Sequence, residues 1–174
     1  VEKVKDKLIA NNKKINWTPN HLQEWRFWKW LEWARDWAVS RNRYWGTPLP
    51  IWKNEETWKF KCIWKISELE ELTWEKITDI HKHKIDHLTF KLDWEEWEYK
   101  RVEEVFDCWF ESWSMPYAQK HFLHDKEIDF KLPADFIAEW LDQTRWWFYT
   151  LHVISTILFD KPAFKNVIVN WIIL

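Results

Sequence analysis

Apolar residues recur at helical spacing in the first quarter of the chain. Between residues 20 and 40, apolar side chains fall every three or four positions: Leu22, Phe27, Trp30, Leu31, Ala34, Trp37 and Ala38. This spacing predicts one amphipathic helix that faces a core. Residues 41–48 contain a glycine and a proline, which end the helix, and residues 49–52 read as a short strand. The lysine-rich residues 1–14 predict a solvated helix end or linker.

Two further groups of elements follow along the chain. Strands predicted at residues 59–63 and 84–92 flank a short helix at 67–72, and their polar surfaces indicate a small α+β insertion. The apolar run 133–139 precedes a predicted helix over 142–159 and a predicted strand over 166–174. Strand, helix and strand in this order form the unit of a parallel sheet, so the pattern predicts an α/β architecture.

Length and charge narrow the function classes. A chain of 174 residues suits one ordinary domain, and the net charge of -2 gives no global attraction for a polyanion. Any RNA contact must therefore be local. Cys62 and Cys108 lie far apart, which argues against a disulfide framework or a thiolate zinc site and favours a reducing, cytoplasmic setting. No apolar stretch is long enough for a membrane span.

A histidine cluster offers a weak metal-like pattern. His81, His83 and His87 have a metal-like spacing with lysines between them, and the only thiol of the strand predicted at 59–63 is Cys62. Lysines between the imidazoles disfavour a bound cation. A solvated strand is the favoured interpretation, and neither zinc nor another metal site is predicted.

The chain contains 19 tryptophans and a single glycine. Ordinary usage predicts about 12 glycines in this length, because left-handed turns and helix C-caps need a residue without a Cβ. Twelve tryptophans occupy such contexts: Trp25, Trp28, Trp33, Trp58, Trp64, Trp74, Trp94, Trp97, Trp113, Trp140, Trp146 and Trp171. The other seven are Trp17, Trp30, Trp37, Trp45, Trp52, Trp109 and Trp147. We hypothesise that a UGA codon decoded as glycine was translated as tryptophan at the first twelve.

The junction at residues 138–143 carries candidate chemistry. Ligands of open α/β sheets bind beyond the carboxyl ends of strands, where helix N-termini favour anionic groups. A glycine at Trp140 would let a ligand lie against the backbone while Glu139, Asp142 and Gln143 form hydrogen bonds to it. The alternative is structural, with Asp142 an N-cap and Glu139 a solvated strand end.

Several long stretches carry a family resemblance. They are NWTPNH at 16–21, ARDWAVSRNRYWGTPLPIW at 34–52, VFDCWFESWSMPYAQ at 105–119, PADFIAEWLDQTRWWFYT at 133–150, and residues 159–174. With glycines restored, the chain resembles isoleucyl-tRNA synthetases over essentially its whole length. Leucyl enzymes share a similar RYWGTP stretch, but the SMPYAQ and DQTR-W-WFYT runs are similar to isoleucyl enzymes.

The resemblance implies a fold class and a domain plan. It implies an α/β fold that is the second half of a split Rossmann-type class I synthetase catalytic domain with a small α+β insertion. The expected divisions are a connector from the editing domain at 1–16, catalytic core at 17–52, the insertion at 53–100, and the second Rossmann half at 101–174. The HIGH and KMSKS signatures are expected outside these residues, so the piece alone is predicted to be inactive.

The resemblance also implies ligands and site residues. Glu139, the Trp140 position, Asp142 and Gln143 are expected to bind the aminoacyl-adenylate, Trp109 and Trp147 to wall the isoleucine pocket, and Gly46 to line the same cleft. The implied substrates are isoleucine, ATP with Mg²⁺, and tRNA(Ile), used by a full-length cytoplasmic monomer that includes the remainder of the polypeptide. Two alternatives stay open: a valyl-specific relative, and a tryptophan-rich binding module whose indoles stack on sugars or bases.

Overall fold

A computed structural model describes residues 1–122 and 131–171. The helices are α1 Lys5–Asn12, α2 Trp28–Glu32, α3 Ile66–Thr73, α4 Lys82–Ile85, α5 Cys108–Trp113, α6 Met115–Ala118 and α7 Trp147–Phe159. The strands are β1 Asn16–Thr18, β2 Ser40–Arg41, β3 Ile51–Asn54, β4 Phe60–Cys62, β5 Thr89–Phe90, β6 Tyr99–Arg101, β7 Val105–Phe106, β8 Ala134–Trp140 and β9 Phe164–Asn170. The chain divides into two compact units, Val1–Ala38 with Glu111–Leu174, and Val39–Phe110.

The first unit contains a parallel sheet with strand order β1-β9-β8. Helix α7 connects β8 to β9, which confirms the predicted strand, helix and strand unit. The predicted helix over 142–159 begins later than expected, because Leu141–Thr144 forms a 3-10 turn before α7. The predicted strand over 166–174 runs from Phe164 to Asn170, and residues 172–174 lie outside the described residues.

Helix α7 is mostly apolar, and eight of its 13 residues are buried in the core of this unit. Leu8 of α1 is fully buried, and Asn11 of α1 donates from Nδ2 to Thr156 Oγ1 at 3.2 Å. His152 Nε2 lies 2.9 Å from the Leu8 carbonyl oxygen, and burial lowers the pKa of His152 to about 4, so the neutral ring donates here. The interpretation of residues 1–14 as a solvated end or linker is therefore wrong.

The predicted helix over residues 20–40 is only partly present. A π-helical turn, Gln23–Phe27, leads into α2, which ends at Glu32 with Trp33 as its C-cap residue. Residues 34–39 are not helical, and β2 then pairs antiparallel with β7. Leu31 and Ala34 are both buried and satisfied the helical pattern, although the backbone had already left the helix between them.

The second unit contains an antiparallel sheet with strand order β4-β3-β6-β5. Its core consists of Trp52, Ile63, Leu69, Ile85, Leu88, Phe90 and Tyr99. Helix α3 covers the predicted residues 67–72, whereas the strand predicted over 84–92 is wrong. Helix α4 occupies its start and β5 only Thr89–Phe90, because Ile85 and Leu88 are buried three residues apart, a spacing that a strand cannot provide.

Within the described residues, every helix falls short of the length and apolar character that crossing a membrane would require.

Candidate functional site

The carboxyl ends of β1, β9 and β8 lie at one edge of the parallel sheet. Glu139 pairs with Val169 and Trp140 with Asn170, so β8 and β9 end side by side. After Trp140 the chain enters the 3-10 turn Leu141–Thr144 and then α7. The structure therefore brings Glu139, Trp140, Asp142 and Gln143 together between a strand end and the positive end of a 13-residue helix.

Hydrogen bonds fix the shape of this turn. Gln143 donates from Nε2 to Asp142 Oδ2 at 2.9 Å, and its Oε1 accepts the Trp147 backbone N–H at 3.3 Å. Thr144 is fully buried, donates from Oγ1 to the Leu141 carbonyl oxygen at 2.7 Å, and accepts from Arg26 Nε at 3.1 Å. The turn is thus held from both sides, while Glu139 and Asp142 remain exposed to solvent.

The interpretation of Asp142 as an N-cap is not supported. The N-cap residue of α7 is Trp146, and that of the 3-10 turn is Trp140. Asp142 instead receives the Gln143 amide on its carboxylate and the Arg145 backbone N–H on its carbonyl oxygen, at 2.9 and 3.1 Å. The Gln143 amide holds its carboxylate near the start of α7, and the carboxylate does not cap a backbone N–H of the helix.

Two indoles stand at the same edge of the sheet. Trp140 ends β8 with its side chain 56% exposed. Trp171 directly follows β9, and its ring stacks against His21, with ring centroids 6.3 Å apart and an interplanar angle of 26°. Bulky aromatic side chains therefore occupy positions at the edge where a ligand of this fold class would lie.

Trp147 lines a cavity of about 540 Å³ on the same unit. Other lining side chains include Met115, Phe136, Leu151 and Phe164. Lys120 and Lys131 also line the cavity, so it combines an apolar wall with two cationic side chains. The predicted role of Trp147 as a wall of an apolar pocket is compatible with this position, and stays a prediction.

Gly46 and Trp109 belong to the second unit, whereas Trp147 belongs to the first. A Cβ at Gly46 would lie 2.9 Å from Val105 Cγ2 and 3.1 Å from Val105 Cβ, so this position needs glycine for close approach. Trp109 is 58% exposed in the first turn of α5, and its backbone N–H donates to Asp107 Oδ1 at 3.0 Å. Arg41 forms an ion pair with the buried Asp107.

The histidine cluster has no metal-like arrangement. His81 Nδ1 contacts Asp79 Oδ1 at 2.5 Å, and the His81 ring packs against Trp45 with centroids 5.0 Å apart. His83 lies on α4, so the interpretation as a solvated strand is wrong there. Across residues 1–122 and 131–171, no three His, Cys, Asp or Glu side chains converge on a point that could hold a metal ion.

Two residues at the sheet edge were missed as site candidates. His21 follows β1 and contacts Trp171, and Arg26 reaches the turn after β8 through Thr144. His21 closes the NWTPNH stretch at 16–21, where no strand was predicted, so its place after β1 was not visible from the sequence pattern. Arg26 lies on the π-helical turn, which the apolar spacing of residues 20–40 does not distinguish from an α-helix.

Comparisons with known proteins agree with this geometry. The model of the class I tRNA synthetases (I, L, M and V) matches residues 1–174, and the chain belongs to this family. Within the family, the chain is 60% identical to an isoleucine–tRNA ligase of Chlamydia pneumoniae and 60% identical to that of Chlamydia caviae. Both alignments cover 100% of this chain but 17% of the relative, so the chain spans about a sixth of their length.

A solved structure shares the fold. The ternary complex of the Agrobacterium radiobacter K84 agnB2 LeuRS with tRNA and LeuAMS aligns with a TM-score of 0.52 over 78% of this chain and 19% of that chain. The sequences are 18% identical over this alignment, so the likeness concerns the fold alone. The predicted resemblance to isoleucyl-tRNA synthetases and the predicted class I α/β fold are confirmed.

Proposed function

We propose that this chain is part of the catalytic domain of an isoleucine–tRNA ligase. The full-length protein would activate isoleucine with ATP and transfer it to tRNA(Ile). The observation that carries the proposal is the turn after β8, where Glu139, Asp142 and Gln143 meet the entrance of α7. The 60% identity to isoleucine–tRNA ligases over the whole chain supports isoleucine as the amino acid.

In the first proposed reaction, a carboxylate oxygen of isoleucine attacks the α-phosphorus of ATP, and pyrophosphate leaves. The products are isoleucyl-adenylate and pyrophosphate. In the second reaction, a hydroxyl of the terminal tRNA ribose attacks the activated carbonyl carbon, and AMP leaves. Magnesium would arrive with the phosphates of ATP as part of the substrate, because this small, hard cation is usually held by substrate phosphates and one or two carboxylates.

The residues at the turn suit the two ends of an aminoacyl-adenylate. The carboxylates of Glu139 and Asp142 can accept hydrogen bonds from an ammonium group and from ribose hydroxyls. Asp142 is oriented for this by the Gln143 amide at 2.9 Å. The entrance of α7 directs the positive end of its dipole toward the same region, which favours negative charge on a bound ligand.

The isoleucine side chain needs an apolar wall. Trp147 supports this role through the 540 Å³ cavity that it lines together with Met115, Phe136 and Leu151. The roles that the resemblance implies for Trp109 and Gly46 stay predictions. An apolar pocket separates isoleucine from valine by one methylene, worth about 1–3 kcal/mol, so weak use of valine is expected as well.

The remainder of the polypeptide is part of the proposal. The HIGH and KMSKS signatures are expected there, so this piece alone should not form the adenylate. In β8, six of the seven residues are exposed at the edge of the sheet, and we expect other parts of the polypeptide to cover them. The full-length enzyme is proposed to act as a cytoplasmic monomer.

Amino-acid-dependent exchange of pyrophosphate into ATP tests the proposal in the full-length protein. Isoleucine should support exchange with a kcat/KM roughly tenfold to two-hundredfold above valine, and leucine should support little. Exchange driven by valine in preference to isoleucine would establish the valyl alternative. Absence of exchange with all three amino acids would contradict the assignment as an isoleucine–tRNA ligase.

A further inference from the structure

We propose that the twelve tryptophans named above are glycines in the protein made by its source cells, and that two of them open the ligand edge of the sheet. The first part stands on backbone geometry and exposure, independently of function. The second part, which concerns Trp140 and Trp171, rests on the proposed function. The molecular cause would be one codon that the source cells read as glycine.

Backbone geometry is the first line of evidence. Among the described non-glycine residues, those with positive φ are Trp58 at 57°, Trp74 at 59°, His121 at 48° and Asp160 at 54°. Aspartate and histidine adopt this region several times more readily than other side chains, whereas a bulky side chain there is an outlier. Two of the twelve proposed glycines thus occupy the conformation that glycine adopts without strain.

Both positions also have the hydrogen bonds of glycine-dependent turns. Trp74 ends α3, and its N–H donates to the Glu70 carbonyl oxygen at 2.8 Å, as in a helix closed by a left-handed residue. Trp58 lies in the connection between the antiparallel strands β3 and β4, and its N–H donates to the Asn54 carbonyl oxygen at 2.9 Å. The fold therefore requires a left-handed residue at each of these positions.

Most of the twelve proposed glycines are exposed, whereas most of the other seven tryptophans are not. Ten of the twelve proposed glycines are exposed, from 51% at Trp97 to 92% at Trp74. Of the seven other tryptophans, only Trp45 and Trp109 are exposed to this degree. Trp17 and Trp52 are buried, and each donates its indole N–H, to Asn12 Oδ1 at 3.0 Å and to the Leu88 carbonyl oxygen at 3.1 Å. At least two indoles of the second group thus have a specific, hydrogen-bonded place in the core.

Trp113 is the clearest exception to the exposure of the twelve proposed glycines. Its side chain is 4% exposed, and its ring packs against Trp37 with centroids 5.1 Å apart. Its burial alone would suggest that this residue is a genuine tryptophan, whereas its sequence context, the ESWSM run, placed it among the proposed glycines. Its identity therefore distinguishes the common-codon explanation from a general excess of surface tryptophan.

The proposal changes the shape of the candidate site. Trp140 and Trp171 lie on neighbouring strands, at the carboxyl ends of β8 and β9. Trp140 pairs with Asn170, the residue before Trp171. Glycine at Trp140 would leave the peptide next to Glu139 and Asp142 open to a ligand. Glycine at Trp171 would remove the ring that stacks on His21. The edge would then admit a flat adenylate against bare backbone.

Peptide mass spectrometry of the protein purified from its source cells tests the first part. Glycine masses are expected at all twelve positions, including Trp113, and tryptophan masses at Trp17, Trp52 and the other five. Tryptophan masses at Trp58 and Trp74 would overturn the proposal. The codons provide a matched readout, since a single codon should encode the twelve and a different one the seven.

Pyrophosphate exchange by the full-length recombinant protein tests the second part. The reference protein carries glycine at all twelve positions, and a second protein keeps Trp140 and Trp171 as indoles. Exchange with isoleucine should fall at least a hundredfold in the second protein, whereas keeping indoles at Trp58 and Trp74 should leave exchange per folded molecule unchanged. Equal exchange with and without the two edge indoles would overturn the second part, even where the peptide masses show glycine. An inactive reference protein would count against the proposed function and not against the glycines.

Discussion

The substitution Trp74→Gly should stabilise helix α3. Trp74 has φ 59° and ψ 21°, and 92% of its side chain is exposed. The left-handed conformation costs a residue with a Cβ about 1–2 kcal/mol, which glycine avoids. Glycine also makes the unfolded chain more flexible, which opposes this gain by about 0.4–1 kcal/mol. The exposed indole loses little packing when it is removed. The net gain is therefore about 1 kcal/mol, or roughly a fivefold change in the local opening equilibrium.

Hydrogen exchange of the full-length protein, measured by mass spectrometry, resolves this local change. Peptides that cover α3 should exchange about fivefold more slowly in Trp74→Gly than in the parent, because exchange reports the opening free energy of the helix. Peptides that cover α7 provide the internal reference. Their exchange should not change.

The matched control is Trp74→Ala, which removes the same indole but keeps the Cβ. This variant retains the cost of the left-handed backbone, so exchange of α3 should match the parent or be faster. Equal slowing in the alanine and glycine variants would refute the reasoning, since the gain would then come from loss of the indole and not from the backbone conformation.

Three further predictions follow from the core and the site. Asp142→Asn should lower isoleucine-dependent exchange roughly tenfold to a hundredfold by weakening a charge-assisted hydrogen bond, while Asp135→Asn, at the other end of β8, should leave it unchanged. Trp52→Gly should destabilise the protein by about 3–5 kcal/mol, since Trp52 is 1% exposed; an unchanged melting temperature would contradict this. Burial lowers the pKa of His152 to about 4 in the folded chain, whereas the same side chain has its ordinary pKa of 6.5 in the unfolded chain. Between pH 6.5 and 4, His152 is therefore protonated in the unfolded chain but neutral in the folded one. Stability should therefore fall by about 3 kcal/mol as pH drops from 6.5 to 4, and His152→Gln should show a shallower fall in thermal melts over this range; an identical slope would contradict the assignment.

The sequence predicted the parallel unit well because its signals are long and local. Helix α7 is rich in apolar residues, the polar turn after β8 separates it from β8, and residues 160–163 separate it from β9. Helix α3 was similarly marked by its pattern and by the C-cap at Trp74. The candidate residues after β8 follow from this order, since a strand end and a helix start must meet there.

Other elements depended on information that spacing does not contain. Leu31 and Ala34 satisfy a helical period across the end of α2, so the pattern extended the helix past Trp33. Ile85 and Leu88 face one core from a short helix and the residues after it, which alternation between polar and apolar residues cannot represent. The contact from Arg26 to Thr144 joins residues 118 positions apart, and no local signal predicts it.

A crystal structure of the full-length protein with a non-hydrolysable isoleucyl-adenylate analogue tests the central claim most directly. We expect the analogue at the carboxyl ends of β8 and β9, with polar atoms of the ligand within hydrogen-bonding distance of Glu139, Asp142 and Gln143, and its aliphatic group against Trp147. An analogue bound elsewhere, with the turn after β8 free of ligand, would contradict the account.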